Sequence, residues 1–248
     1  MATALEFLGI LYLKVIVDLL VMIEKNRLVR INLLGFDPLS ALELTKKAAD
    51  NFGASAIAKT HIGGWSVLEC EESGNAKAFA REVCETLFPK AFMGDPFAYA
   101  AARLKERRQK VTFAESCTGG LLAAYMTAVA GASQVFDGSL VAYSNRLKVS
   151  WLGVSERLLE TYGAVSAECV EQMALGAIGR TDANYALSVS GVAGPGGGSE
   201  QKPVGTVFIG YASSDGATFA EKLFLTGARA QIQKQSVFQA LRLLLNRL

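Results

Sequence analysis

Apolar and polar residues change rhythm several times along this chain, and each change marks an element. Residues 5–23, LEFLGILYLKVIVDLLVMI, are apolar almost throughout, but Glu6, Lys14 and Asp18 interrupt the run. Lys14 and Asp18 are four apart and so share one face of a helix. A charge near a bilayer centre costs about 2.5–3.5 kcal/mol, and no small-residue cleavage site follows. The expectation for residues 1–26 is therefore a packed amphipathic helix, with a membrane-surface helix as the alternative. Next, LVRINLLG reads as a strand. Asp37-Pro38 opens a helix over PLSALELTKKAADNF with Gly53 past its end. SAIAKTHIGGWSVLECE alternates as two short strands around Gly63-Gly64, and NAKAFAREVCETLF is amphipathic up to Pro89. Together these predict a small α+β domain of β-α-β-β-α order over residues 27–94.

The stretch PKAFMGDP, rich in Pro and Gly, predicts a boundary. Beyond it, FAYAAARLKERRQK has helical spacing, VTFA is a short apolar strand and GGLLAAYMTAVAG a helix. GSLVAYS reads as a strand running into the apolar segment RLKVSWLGV, and helices follow at about 155–162 and 166–180. ANYALSVSG is a strand, the glycine-rich GVAGPGGGSEQKP a loop, and PVGTVFIGYAS with ATFAEKLFL an antiparallel pair across Ser-Asp-Gly. Residues 228–247 close the chain as a helix. Strands separated by helices of this length predict an α/β fold for residues 95–248, a three-layer α/β/α domain. The hairpin makes its sheet mixed, though mostly parallel.

Composition narrows the classes. Apolar residues make up 51% of the 248, enough for a sizeable core. A formal charge of +2 gives no electrostatic footprint for nucleic acid or an anionic membrane. The four cysteines, Cys70, Cys84, Cys117 and Cys169, lie far apart with no CxxC spacing, which reads as reduced thiols in a cytoplasmic protein without a structural metal. The chain has one histidine, His61, and none after residue 111.

That scarcity of histidine shapes the chemistry open to AESCTGG, residues 114–120. Ser116 falls between a buried strand and a helix that can begin only after Gly119-Gly120, at the carboxyl end of a strand, where α/β sheets place ligands. The glycines let backbone amides approach a ligand, and a helix N-terminus favours developing negative charge. A serine there can be a nucleophile with an oxyanion site beside it, although the commoner role is for Ser116 or Thr118 to cap the helix. With no histidine in this part of the chain a local Ser-His-Asp triad is excluded, and a Ser-Lys pair is the substitute. Lysine accepts a proton near neutral pH only when burial or a neighbouring cation lowers its pKa. Lys148, at the start of an apolar segment after a strand, is the candidate; its ordinary role would be a solvated surface residue. Tyr143, on the same strand end, could relay a proton or simply pack. Cys117 is a rival nucleophile, activated at a helix N-terminus, but lacks a histidine partner and ranks below Ser116.

The loop SGVAGPGGGSEQKPVG is the second feature, with glycines at 191, 194, 196, 197, 198 and 205 that can form a nest of N–H groups around an anion. Ser190, Ser199 and Lys202 add donors. It matches neither a P-loop nor a Rossmann fingerprint, and its bland reading is a surface loop. Glu200 would repel an anion unless it faces a ribose hydroxyl or a cationic ring, so a ligand carrying both phosphate and positive charge fits the mixture.

AESCTGG, YSNRLK, GAVS, SVSGVAGPGGGSEQKPVGTV and TGAR, in that order, resemble the C-terminal domain of the CinA (competence/damage-inducible) family over about residues 98–248. The resemblance implies hydrolysis of the carboxamide of nicotinamide mononucleotide to nicotinic acid mononucleotide and ammonia, by a Ser-Lys mechanism with no cofactor or metal. It implies Ser116 as nucleophile, Lys148 as base and Tyr143 as its assistant. It also implies substrate contacts from Cys117, Thr118, Gly119, Gly120, Ser190, Gly191, Gly194, Gly197 and Lys202, with Arg229 on the phosphate. Gly196 and Ala228 stand where relatives often carry an acid, and Gln233 where a further arginine commonly follows. These departures bear on substrate affinity more than on the nucleophile. A catalytically weak or inactive nucleotide-binding protein of the same family is the second reading, and a hydrolase of another amide or ester the third. Residues 27–94 are similar, more weakly, to the KH-type linker domain of full-length CinA proteins. The expected partner is a small pyridine mononucleotide, with no nucleic acid and no membrane; the apolar first helix predicts a homo-oligomer.

Overall fold

The computed structural model describes residues 28–248 apart from 63, 64 and 89. The helix expected over residues 1–26 and the turn at Gly63-Gly64 lie outside the described residues. The chain divides into two compact units, Met1–Gly94 and Asp95–Leu248.

The first unit runs β1 (Leu28–Leu34), α1 (Pro38–Phe52), β2 (Ala56–Ile62), β3 (Trp65–Glu71), α2 (Gly74–Thr86) and β4 (Ala91–Met93). Its helices begin where the sequence supplies caps. The Asp37 carboxylate accepts from the Leu39 and Ser40 amides ahead of Pro38, and Ser73 Oγ accepts from the Ala76 amide. Gly53, at φ 58°, closes α1 in the left-handed conformation. The sheet has the order β2-β3-β1-β4 with every neighbour antiparallel. Both helices pack on it, around Ile31, Leu33, Leu68, Phe79, Ala80 and Val83. β4 is a difference from the sequence reading, which took PKAFMGDP wholly as a boundary. Ala91–Met93 instead pairs with β1 and buries Ala91 and Phe92. Three residues between Lys90 and Gly94 are too few for alternation to register.

The second unit runs α3 (Pro96–Glu106), β5 (Val111–Glu115), α4 (Leu121–Thr127), β6 (Phe136–Val141), α5 (Asn145–Leu152), α6 (Glu156–Tyr162), α7 (Ala167–Ile178), β7 (Tyr185–Gly191), β8 (Thr206–Ser213), β9 (Thr218–Phe224) and α8 (Arg229–Leu245). The sheet order is β6-β5-β7-β8-β9, with β5 parallel to β6 and β7, and β8 antiparallel to both β7 and β9. This is the mixed, mostly parallel sheet expected. Alternation along the strands separates two faces. Ala114, Ala186 and Ala212 join Cys169, Met173, Ala174 and Ala177 of α7 and Leu152 of α5 in one core, with Leu158 and Leu159 of α6 packed against it. On the other layer Phe97, Tyr125 and Phe238 bring α3, α4 and α8 together, ring centroids 5.3–5.9 Å apart.

Glycines set how closely these layers approach. A Cβ on Gly210 of β8 would lie 2.4 Å from the Val170 carbonyl oxygen of α7, and one on Gly176 of α7 would lie 1.8 Å from the Leu152 carbonyl oxygen at the end of α5. α5 itself was not read from sequence. The Ser144 hydroxyl caps it at the Leu147 amide and Gly153, φ 68°, ends it; the sequence carries the strand straight into this segment with no break that alternation could detect. Among the described residues no helix is long and apolar enough to cross a membrane.

Candidate active site

β5 is buried at all five residues and ends at Glu115, whose side chain is fully inaccessible. The chain must then reverse within residues 116–120 to start α4. Gly119 and Gly120 make this possible with φ of 62° and 96°, and the Gly119 amide donates to the Ser116 carbonyl at 3.1 Å. Neither Ser116 nor Thr118 caps α4. The Glu115 carboxylate does: Oε2 accepts from the amides of Gly120 and Leu122, each at 3.0 Å, and Oε1 accepts from the Ala123 amide at 3.0 Å and the Ser139 hydroxyl at 2.9 Å. An anion at a helix N-terminus is favourable, and its four donors compensate its burial. Sequence reasoning missed this role; the available signal was an acid closing a strand that is otherwise apolar.

With Glu115 on the helix, the Ser116 hydroxyl is left for another partner. Lys148, on α5, is 1% exposed and supplies it. Its Nζ lies 3.1 Å from Ser116 Oγ, 3.0 Å from the Ala142 carbonyl and 3.0 Å from the Tyr143 carbonyl. Burial pushes the Lys148 ammonium below the ordinary lysine range, opposed by the nearby sulfurs of Cys169 and Cys117. The geometry suits both protonation states. A charged ammonium donates to all three oxygens; a neutral amine donates to the two carbonyls and turns its lone pair to the Ser116 hydroxyl.

Cys117 is buried, and desolvation raises its thiol to about 12, so it is not a thiolate near neutral pH. Its carbonyl accepts from Gln233 Nε2 of α8 at 2.7 Å. The Thr118 hydroxyl is buried without a hydrogen-bond partner. The Tyr143 side chain is 60% exposed, and its hydroxyl accepts from Arg229 Nη2 at 3.4 Å, so its carbonyl and not its hydroxyl meets Lys148. Arg229, at the first turn of α8, also donates to the Gly194 carbonyl at 2.9 Å.

The remaining sequence-predicted residues serve the loop. Ser190 Oγ donates to the Ala164 carbonyl at 2.7 Å and Lys202 Nζ to the Tyr162 carbonyl at 2.6 Å, which fastens the glycine loop to the end of α6 and the segment that follows it. Gly191 packs against Thr206 and Val207, where a Cβ would be 2.7 Å from a Val207 methyl, and Gly197, φ 84°, is exposed. Among the described residues no hydrogen bond joins Ser190, Gly191, Gly197 or Lys202 to the Ser116–Lys148 pair. No group of three His, Cys, Asp or Glu among them could hold a metal ion.

Residues 97–248 match the family described as CinA C-terminal domain. Over 141 residues, 57% of this chain and 86% of the relative, the chain is 49% identical to "Nicotinamide-nucleotide amidohydrolase PncC" of Enterobacter agglomerans. It is also 49% identical over 199 residues to a CinA-like protein of Prochlorococcus marinus (strain AS9601), covering 77% of this chain but 45% of that one. It thus spans under half the length of that longer relative. Among solved structures, the competence/damage inducible protein CihA of Agrobacterium tumefaciens superposes with a TM-score of 0.58 at 39% identity, over 62% of this chain and 97% of that one. A CinA superfamily protein of Escherichia coli gives 0.58 at 32% identity, over 61% and 88%.

Proposed function

This chain belongs to the CinA C-terminal domain family, and from that premise we propose that its second unit is a nicotinamide-nucleotide amidase, converting nicotinamide mononucleotide and water to nicotinic acid mononucleotide and ammonia. The observation that carries the reading is the buried Lys148 amine 3.1 Å from the Ser116 hydroxyl, with a curated amidohydrolase as a 49% identical relative.

Neutral Lys148 takes the Ser116 proton as Oγ bonds to the carboxamide carbon. The carbonyl π pair moves to oxygen, and turn amides hold that oxyanion. When the tetrahedral adduct collapses, the C–N bond breaks and the Lys148 ammonium returns its proton to the departing nitrogen, which leaves as ammonia. Water then attacks the Ser116 ester, Lys148 accepts its proton, and the acid departs as Oγ recovers a hydrogen. The two carbonyls of residues 142 and 143 hold the amine in place through these transfers. Arg229 is the substrate phosphate ligand, with Tyr143 beside it. Before substrate arrives, the Gly194 carbonyl and the Tyr143 hydroxyl keep the guanidinium extended. The near balance of charge supports a small-molecule substrate and neither nucleic acid nor membrane. Reduced cysteines support a cytoplasmic setting, and the apolar run at residues 5–23 supports a homo-oligomer.

The test is ammonia release from nicotinamide mononucleotide by the full chain and by Ser116→Ala. Release by the full chain that falls by about 10⁴-fold or more in the variant is expected. Undiminished release by the variant would overturn the serine mechanism, and binding of the nucleotide without turnover would return the chain to the nucleotide-binding reading.

A further inference from the structure

The nucleophile turn has few amides to offer an oxyanion. Those of Gly119 and Gly120 are engaged by the Ser116 carbonyl and by Glu115, and that of Leu121 by the Thr118 carbonyl. The Ser116 amide donates to the Val189 carbonyl across the sheet. Among the described residues, the Thr118 N–H is the one in this turn without an acceptor, that of Cys117 facing its own sulfur. Four donors already surround the Glu115 carboxylate, so the start of α4 is closed to a ligand.

A trans peptide is planar, and its N–H points opposite to its C=O. The peptide between Cys117 and Thr118 is therefore oriented by whatever holds the Cys117 carbonyl, and that group is Gln233, at 2.7 Å. Gln233 is half-buried on α8, between the buried Ile232 and Ser236, so the helix fixes where its amide can reach. A rotation of that peptide would exchange the two groups and present a carbonyl oxygen where a donor is needed.

We propose that Gln233 is a positioning residue: by holding the Cys117 carbonyl it aims the Thr118 N–H, an oxyanion donor, at the oxygen of the carbonyl group that Ser116 attacks. The inference deepens the amidase reading and rests on it for the substrate. It assigns α8 a second contribution to the reaction, distinct from Arg229.

The test compares Gln233→Leu, which fills similar space without a donor, with Gln233→Arg, whose guanidinium can donate to the same carbonyl. Two readouts are taken on the full chain: kcat and KM for ammonia release, and the rate at which a fluorophosphonate probe labels Ser116, since its phosphoryl oxygen occupies the oxyanion position. Gln233→Leu, with an unchanged circular dichroism spectrum, is expected to lower kcat and the labelling rate about 10- to 100-fold with KM within about twofold, and Gln233→Arg to restore most of both. The proposal is overturned if Gln233→Leu is labelled as fast as the unsubstituted chain, if its defect lies in KM alone, if Gln233→Arg is equally slow, or if the unsubstituted chain is not labelled at Ser116. An unsubstituted chain that is labelled but releases no ammonia removes the substrate assignment alone; the labelling rates then decide the Gln233 proposal by the same criteria.

Discussion

Lys148 Nζ and Ser116 Oγ stand 3.1 Å apart although 32 residues separate them in sequence. The parallel pairing of β5 with β6 makes this distance: Glu115 lies beside Val141, so the residues after each strand emerge at the same edge of the sheet. α5 then turns back and places its fourth residue over the serine.

The proton balance of that pair predicts a pH profile. Burial lowers the Lys148 pKa from 10.5, which favours the uncharged amine that the proposed mechanism needs. The limb of kcat/KM is therefore expected to rise with pH through the folded-state pKa and to level off below 10.5. Lys148→Arg, which stays charged, is expected to lose about 10³-fold or more across pH 6–10. A Lys148→Arg variant that keeps kcat/KM within about tenfold of the unsubstituted chain would exclude lysine as the base.

Glu115 is expected to be a stability residue as much as a site residue. Glu115→Leu leaves three amides and the Ser139 hydroxyl without their acceptor in a buried place. Each such group costs about 1–3 kcal/mol when left unsatisfied, so urea unfolding should show a loss of about 3 kcal/mol or more. Glu115→Gln keeps one oxygen and should lose less. Equal stabilities for Glu115→Leu and the unsubstituted chain would mean that water replaces the carboxylate.

Gly176→Ala tests how α5 is seated. Alanine is the better helix former by about 1 kcal/mol, yet its Cβ would sit 1.8 Å from the Leu152 carbonyl oxygen. Overpacking of this kind costs about 1–3 kcal/mol or more, so the steric term prevails and α5 must shift. The expected outcome is a lower melting temperature together with a lower kcat, since the same shift moves Lys148. A stabilised variant with full kcat would show that the close approach is dispensable.

Arg229→Ala is expected to raise KM for the mononucleotide by about 10- to 100-fold and to change kcat far less, because loss of a charge-assisted phosphate contact removes binding in ground and transition states alike. A parallel comparison with a substrate lacking the phosphate should show little effect of the substitution.

The thiols offer a further check. Burial raises Cys117 to about 12 and Cys169 to about 11, so both remain protonated at pH 8. Treatment of the folded chain with iodoacetamide at that pH should leave activity intact and both residues unmodified by peptide mapping.

Much of this architecture could be read from residue patterns because its signals are local. Paired glycines after VTFAES located the turn, and a lysine after an apolar strand pointed to α5 without revealing its helix. What stayed hidden depends on partners distant in sequence. Glu115 reads as one letter of a motif; its role as a cap needs the amides of 120–123 folded back upon it. Gln233 reads as a missing arginine, and only the packing of α8 brings its amide to a carbonyl 116 residues earlier. β4 escaped for another reason, being three residues long and recognisable only beside β1.

Strand β5 and helix α5 bring Ser116 and Lys148 together, yet α8 supplies Gln233, Arg229 and the buried Phe238, Leu241 and Leu244. On a ribosome synthesising this polypeptide, Ser116 and Lys148 are made more than 80 residues before α8 begins to appear. The proposed site is thus complete only once α8 has folded back upon the turn that follows β5.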